Sequence, residues 1–235
     1  MSYYINLSIL SNKQDNPHRT ERQKILSAEA RRILSLCEGR PLANEDIARE
    51  EGGRPFFPNR EVKGSNTDFS ISHSGALTVV SLVRGRQLRT GCDVELVRPR
   101  TGAGKIAEEF FTVPEREYIE SGGGFDITRF YQIWTLKECL LKLKGLSVFE
   151  MGGIPSFISG EGTYTFGTAV FSPLSFSLYE LTGNAGEHYI LATALEGTEI
   201  DQPEIRWFSR DSLACKSIAK IKAAPSPAET VSPKI

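Results

Sequence analysis

The 235-residue sequence contains no run of 18 or more apolar residues, and its first ten residues lack the basic segment and small-residue cleavage site of a secretion signal. It has almost no net charge, with 28 basic and 29 acidic side chains, so the overall charge of the molecule does not favour binding to nucleic acid or an anionic membrane. Its four cysteines lie far apart without a C-x-x-C pair, which argues against disulfides and a zinc site. We therefore expect a cytoplasmic protein that has reduced thiols and binds neither nucleic acid nor membranes.

The hydrophobic fraction, 40%, is that of an ordinary globular protein of one or two domains. Its charges are unevenly distributed. Residues 150–205 hold eight acidic and no basic side chains, whereas 13–40 and 84–105 are rich in arginine and lysine. A polyanionic ligand would therefore be bound locally, although each of these basic residues could also belong to an ordinary solvated surface.

Hydrophobic periodicity predicts several elements. A helix over 20–38 carries an apolar stripe of Ile25, Ala28, Ile33 and Leu36, and Gly39 ends it. We expect one strand over 69–83, a turn at 84–86 and a second strand to about Val97, together forming a hairpin. Further helices are predicted over about 105–120 and 126–144, strands over 163–171, 175–182 and 188–195, and a disordered Pro/Ala/Ser tail over 223–235.

An acidic pair lies in G-C-D-V-E-L at 91–96. Asp93 and Glu95 are two apart on a predicted strand, so both carboxylates point to one face while Cys92, Val94 and Leu96 point into the core. Two rigidly held carboxylates suit Mg²⁺, which takes one or two carboxylates together with phosphate oxygens and water. The alternative is an exposed polar strand face.

A second motif is F-Y-Q-I-W-T-L-K-E-C-L-L-K-L-K-G at 130–145. On a helix, Trp134, Glu138 and Lys142 share one face, and Ile133, Leu136, Leu140 and Leu143 form a core stripe. Glu138 could complete a metal site, with Lys142 neutralising phosphate one turn away. A surface ion pair is the alternative interpretation.

A third motif is F-S-I-S-H-S-G at 69–75. His73, flanked by two serines, belongs to a compact set of donors for phosphate oxygens, although a lone histidine is more often structural. A serine hydrolase is not favoured, because the chain has no G-x-S-x-G motif.

In order, spacing and residue type, these three motifs resemble those of the 4'-phosphopantetheinyl transferases, and the length resembles their long, surfactin-activating type. The resemblance covers about residues 53–146. It implies an enzyme that transfers the 4'-phosphopantetheine group of coenzyme A (CoA) to a serine of an apo acyl or peptidyl carrier protein and releases adenosine 3',5'-bisphosphate. CoA would be the co-substrate, and Mg²⁺ or Mn²⁺ the metal.

The resemblance also implies roles for individual residues. Asp93, Glu95 and Glu138 resemble the family's metal ligands, Glu138 and Lys142 its catalytic residues, and Ser72 and His73 its 3'-phosphate site. Gly53-Arg54-Pro55 resembles its turn beside the adenine nucleotide, and Glu115 an acid near its metal site. The CoA-binding set expected from the resemblance is Arg19, Arg22, Arg31, Arg54, Pro55, Ser72, His73, Asp93 and Lys142.

For the fold we expect an α+β protein of two similar halves, each a helix packed on a small antiparallel sheet, related by pseudo-twofold symmetry. The expected division is 1–100 for nucleotide binding, 101–212 for the Lys-Glu helix and carrier contact, and 213–235 for a tail. We expect a monomer whose segment Phe110 to Ile127 contacts the acidic carrier protein. The alternatives are a Mg²⁺-dependent nuclease or phosphohydrolase, and a non-catalytic CoA- or carrier-binding protein.

Overall fold

The protein is described here from a computed structural model, which describes residues 2–10, 19–58, 66–166, 173–183, 185–197, 203–209 and 213–222. The longer helices are α1 (Arg19–Glu38), α2 (Ala103–Phe110), α3 (Val113–Glu120) and α4 (Ile127–Lys144). The strands are β1 (Ser2–Ile9), β2 (Ala48–Arg49), β3 (Pro55–Phe56), β4 (Thr67–Ser74), β5 (Leu77–Arg84), β6 (Arg89–Leu96), β7 (Leu174–Thr182), β8 (His188–Glu196), β9 (Glu204–Trp207) and β10 (Ala214–Lys222).

Two four-stranded sheets form the framework, so the predicted α+β class is confirmed. The first has the order β4-β5-β1-β9, antiparallel except for the parallel pair β1–β9, and the second has the order β10-β7-β8-β6, antiparallel throughout. β6 therefore joins the strands of the later part of the chain, and β9 returns to the first strand. The division near residues 100 and 212 stays a prediction, although the segment assigned to the tail contributes β10.

The predicted helix over 20–38 is confirmed, but of its predicted apolar stripe only Ile33 is buried. Ala30, Ile33 and Leu34 are buried in one cluster with Phe69 and Val80 of the first sheet, and Leu26 is buried as well. Ile25 and Leu36, expected in the stripe, are 44% and 54% exposed. Apolar residues occur on more than one side of this helix, so the side that is buried depends on where the first sheet packs against it.

The hairpin lies earlier in the sequence than predicted: its turn is at Gly75, between β4 and β5, and not at 84–86. The run 69–83 does not form one strand, because Gly75 adopts a positive φ of 56° and turns β4 back onto β5. The segment after β5 crosses to the second sheet, where β6 pairs with β8 rather than with β5. The functional motifs of β4 and β6 are thus brought together between two sheets.

Helix α4 packs across the second sheet, against β6, β7 and β8. Asp126 caps its N-terminus by accepting hydrogen bonds from the backbone N–H groups of Thr128 and Arg129, and Gly145 ends it with φ 71°. The predicted core stripe is confirmed, since Ile133, Leu136, Leu140 and Leu143 are all buried.

The predicted helix over 105–120 is two helices, α2 and α3, separated at Phe111 and Thr112. Pro114 lies in the first turn of α3, where its missing N–H costs no hydrogen bond, and the Glu115 carboxylate accepts from the Thr112 N–H at 2.8 Å. The β7–β8 hairpin confirms the strands predicted over 175–182 and 188–195.

Of the strand predicted over 163–171, residues 163–166 form only an isolated bridge between Tyr164 and Ile158. Residues 167–171 lie outside the described part of the chain. The predicted disorder of 223–235 also falls outside it.

The two sheets meet where β4 runs beside β6, and side chains rather than carbonyl groups join these strands. The side chains of alternate β4 residues accept hydrogen bonds from alternate N–H groups of β6 at 2.8–3.3 Å. We call this set the side-chain ladder; its pairs are Asp68–Thr90, Ser70–Cys92, Ser72–Val94 and Ser74–Leu96. The ladder satisfies N–H groups on the edge of β6 that faces away from β8.

Candidate functional site

The site lies on the ladder, where the hydroxyl of Ser72 connects three elements. Ser72 accepts a hydrogen bond from the Val94 N–H, donates one to Asp93 Oδ1 at 2.8 Å, and accepts one from Lys142 Nζ at 2.9 Å. Lys142 Nζ also contacts Asp93 Oδ1 at 2.5 Å. One serine thus fixes both the carboxylate of β6 and the ammonium group of α4.

The acidic face predicted for β6 is present. Asp93 is buried, and its Oδ2 atom has no hydrogen-bond partner within the described chain. Glu95 is partly buried and accepts a hydrogen bond from the Ser74 hydroxyl at 3.0 Å. The alternative of an exposed polar strand face is therefore wrong for Asp93.

Glu138 faces these carboxylates from α4. It is partly buried, and its carboxylate makes no hydrogen bond or ion pair with any residue that the structure describes. Burial, followed by the charge of Asp93, raises the pKa of Glu138 to about 7, against the opposing charge of Lys142. The same two causes raise the pKa of Glu95, so the three acids repel one another.

The ammonium group of Lys142 stays charged in this setting. Burial alone would lower its pKa, but contact with Asp93 raises that pKa well above its usual range. The alternative interpretation, a surface ion pair between Glu138 and Lys142, is wrong, because Lys142 pairs with Asp93 instead.

The acid cluster fits a hard divalent cation. Its donors are carboxylate oxygens, and a buried oxygen of Asp93 has no hydrogen-bond partner among the described residues, a place that a cation would fill. Within the described residues, no three acidic, histidine or cysteine side chains already converge tightly enough to hold a metal by themselves. A cation here would need further oxygens from water or a substrate.

A cavity of about 290 Å³ opens beside Lys142. Four of its side chains carry or can carry positive charge: Arg31, Arg49, His73 and Lys142. Ser72 and Pro55 also line it, so the structure brings Arg31, Pro55, Ser72, His73 and Lys142 of the expected CoA-binding set to one cavity. Arg49 was missed by the sequence analysis, although it lies in the charged run just before the Gly53-Arg54-Pro55 turn.

Arg54 points into the protein. It is buried and forms an ion pair with Asp68 at 2.6 Å, and it donates hydrogen bonds to the carbonyl oxygens of Thr90 and Lys142 at 3.0 Å each. It lines a second cavity of about 200 Å³ that shares Lys142 with the first. Its described contacts tie α4 to β4 and β6. The side chains of Arg19 and Arg22 lie outside the described part of the structure.

Glu115 is fully buried and contacts Lys137 at 3.1 Å, also fully buried. Its other oxygen accepts a hydrogen bond from the Phe157 N–H at 2.9 Å. Within the described chain, its hydrogen bonds and ion pair are with these groups and Thr112, and none is with Asp93, Glu95 or Glu138. Glu115 therefore has a structural role, because it links α3 to α4 and to the segment near Phe157.

Comparison with known proteins agrees with these motifs. The sequence model of the 4'-phosphopantetheinyl transferase superfamily matches residues 89–194. The 4'-phosphopantetheinyl transferase AcpT of Salmonella typhi is 30% identical over 135 residues, covering 54% of this chain and 67% of the relative. The 4'-phosphopantetheinyl transferase HetI of Nostoc is 32% identical over 103 residues, 43% of this chain and 42% of the relative.

The chain therefore belongs to the 4'-phosphopantetheinyl transferase superfamily, as its motifs predicted. It is an enzyme of that class, whose members transfer phosphopantetheine from CoA to carrier proteins. In the described residues, no helix has both the length and the apolar character needed to cross a membrane.

Proposed function

We propose that this enzyme transfers the 4'-phosphopantetheine group of CoA to a serine of an apo acyl or peptidyl carrier protein in a Mg²⁺-dependent reaction. The observation that carries this proposal is a buried oxygen of Asp93 that has no hydrogen-bond partner in the described part of the chain. It lies near the carboxylates of Glu95 and Glu138 and next to a cavity with four basic side chains. A cavity of that charge suits the phosphorylated nucleotide of CoA.

In this proposal Asp93, Glu95 and Glu138 hold the cation, which when bound would neutralise charge on the diphosphate of CoA. Arg31, Arg49 and His73 bind the nucleotide, with His73 at its 3'-phosphate. Lys142, kept charged by Asp93, offsets the charge that develops on the departing adenosine 3',5'-bisphosphate. Ser72 positions Asp93 and Lys142, because its hydroxyl is already committed to both.

The reaction forms a bond between the serine oxygen of the carrier and the phosphorus next to pantetheine. The bond from that phosphorus to the bridging oxygen breaks, and its electrons leave with adenosine 3',5'-bisphosphate. The serine also loses a proton. Glu138, which has no hydrogen-bond partner in the described chain, is the proposed acceptor for that proton.

The carrier contact at Phe110 to Ile127 remains part of the proposal. Val113 and Phe125 in that segment are 55% and 41% exposed, and such apolar side chains could pack against a helical partner. The monomeric state and cytoplasmic location stay predictions.

The decisive experiment weighs an apo carrier protein after incubation with the enzyme, CoA and MgCl2. We expect the carrier to gain the mass of one phosphopantetheinyl group, and to gain nothing when EDTA replaces the metal. Transfer that persists unchanged in EDTA would contradict the metal requirement. Hydrolysis of CoA without any change in several carriers would contradict the proposed acceptor.

A second prediction concerns His73. His73→Ala should weaken binding of CoA about tenfold and binding of 3'-dephospho-CoA very little, because only CoA carries the phosphate that His73 is proposed to contact. Isothermal titration calorimetry with both ligands measures the difference. His188→Ala is the control, since His188 pairs with Glu180 on the β7–β8 hairpin. An equal loss for both ligands would refute the assigned role.

A further inference from the structure

Arg100 is a positioned cation that the motifs did not identify. Its guanidinium lies over the ring of Trp134, 4.8 Å from the ring centroid, and 5.9 Å from the centroid of Phe130. Such stacking holds a guanidinium in place without using its N–H groups. Within the described residues, the side chain of Arg100 makes no hydrogen bond and no ion pair. The protein therefore orients the N–H groups of the guanidinium but does not use them in hydrogen bonds within the described residues.

Arg100 lies at the opposite end of the acid cluster from the nucleotide cavity. Trp134, Glu138 and Lys142 are spaced four residues apart on α4, so they mark successive points about 6 Å apart along its axis. Lys142 lines the cavity, and Trp134, with Arg100 stacked on it, is at the far end. The charge of Arg100 lowers the pKa of both Glu95 and Glu138 against the larger effect of burial. Glu95 and Glu138 thus lie close enough to feel the charge of Lys142 at one end of the cluster and of Arg100 at the other.

We propose that Arg100 binds the phosphate of CoA next to pantetheine, the phosphate that is transferred, by donating hydrogen bonds to its non-bridging oxygens. This inference rests on the proposed function. Three carboxylates and a diphosphate carry more negative charge than Lys142 and one divalent cation neutralise, so the site has need of another cation. The planar fork of an arginine matches two phosphate oxygens at once, and the stacking on Trp134 reduces the entropy lost on binding.

This assignment divides the diphosphate between two cations. Arg100 stays with the phosphate that keeps pantetheine and forms the new bond to serine. Lys142 stays with the phosphate that leaves on adenosine. Adenosine 3',5'-bisphosphate lacks the phosphate next to pantetheine, so its binding should not depend on Arg100.

The test compares the binding of CoA and of adenosine 3',5'-bisphosphate, in the presence of MgCl2, by isothermal titration calorimetry. Arg100→Met removes the charge but keeps an apolar side chain over Trp134. We expect it to weaken CoA about tenfold or more and to leave adenosine 3',5'-bisphosphate within about twofold of the unmodified enzyme. Arg100→Lys should recover part of the loss. Arg98→Ala, an exposed arginine two residues earlier, is the matched control and should change neither ligand.

Equal weakening of both ligands would overturn the assignment, and so would unchanged CoA binding with only a higher KM for the carrier protein. The second result would place Arg100 at the carrier instead. Thermal unfolding of each variant separates loss of binding from loss of fold. If the unmodified enzyme itself neither binds CoA nor modifies a carrier, the proposed function has failed, which is distinct from a failure confined to the Arg100 variants.

Discussion

Asp93→Asn should lower the rate of phosphopantetheine transfer about a thousandfold or more, the largest effect expected of any single substitution in this enzyme. The amide keeps the size of the side chain and can still accept from Ser72 and Lys142, but it has no charge with which to hold a cation. Loss of one electrostatic contact to a developing charge commonly costs 10²–10³ in rate, and this change also removes the negative charge that pairs with Lys142. Steady-state transfer to an apo carrier over a range of MgCl2 concentrations measures it.

Two further variants make that result interpretable. Glu161→Gln removes an exposed carboxylate in the turn between Ser159 and Thr163, outside the proposed site and carrier contact, and should leave the rate unchanged. If Asp93→Asn unfolds, Glu138→Gln tests the same site, because the Glu138 carboxylate has no hydrogen bond to lose within the described chain. Nearly normal rates for either site variant at the usual MgCl2 concentration would contradict the assigned metal ligands.

The second large effect is on stability, at the buried pair of Glu115 and Lys137. Glu115→Gln or Lys137→Met should each lower the free energy of unfolding by about 3–5 kcal/mol, because each leaves the other charge buried without its partner. The double variant should be less destabilised than the sum of the two, since it buries no lone charge. Urea unfolding of all four proteins gives this double-mutant cycle.

An exposed ion pair is the control for that cycle. Glu204 pairs with Arg206 at the protein surface, and Glu204→Gln should leave the unfolding midpoint nearly unchanged. Strictly additive losses in the buried pair would show that Glu115 and Lys137 stabilise the fold independently, which is contrary to the contact described here.

Residues whose environment comes from their own strand or helix could be predicted from the sequence. The common face of Asp93 and Glu95 follows from the two-residue period of a strand, and that of Trp134, Glu138 and Lys142 from the helical period. Pro114 could also have marked the start of α3, because proline is favoured in the first turn of a helix.

The other features depend on contacts between distant segments. Arg54 faces inward because Asp68 on β4 neutralises it, and Glu115 has a structural role because α4 places Lys137 against it. Neither ion pair produces a periodic pattern in the sequence from which it could be predicted. The alternation of Ser70, Ser72 and Ser74 is visible in the sequence as a polar face of β4. The strand that this face contacts, β6, lies more than twenty residues later and belongs to the other sheet.

The side-chain ladder has a consequence for how the enzyme's motions can be followed. The amides of Thr90, Cys92, Val94 and Leu96 are shielded by side chains of β4, so their exchange with deuterium reports separation of the two sheets rather than fraying of either one. Two of these side chains, Ser72 and Ser74, also donate hydrogen bonds to Asp93 and Glu95. An opening that breaks the hydrogen bonds of Ser72 and Ser74 would expose the amides of Val94 and Leu96 and release both acids, so the exchange of these two backbone protons reports how often Asp93 and Glu95 lose their orientation.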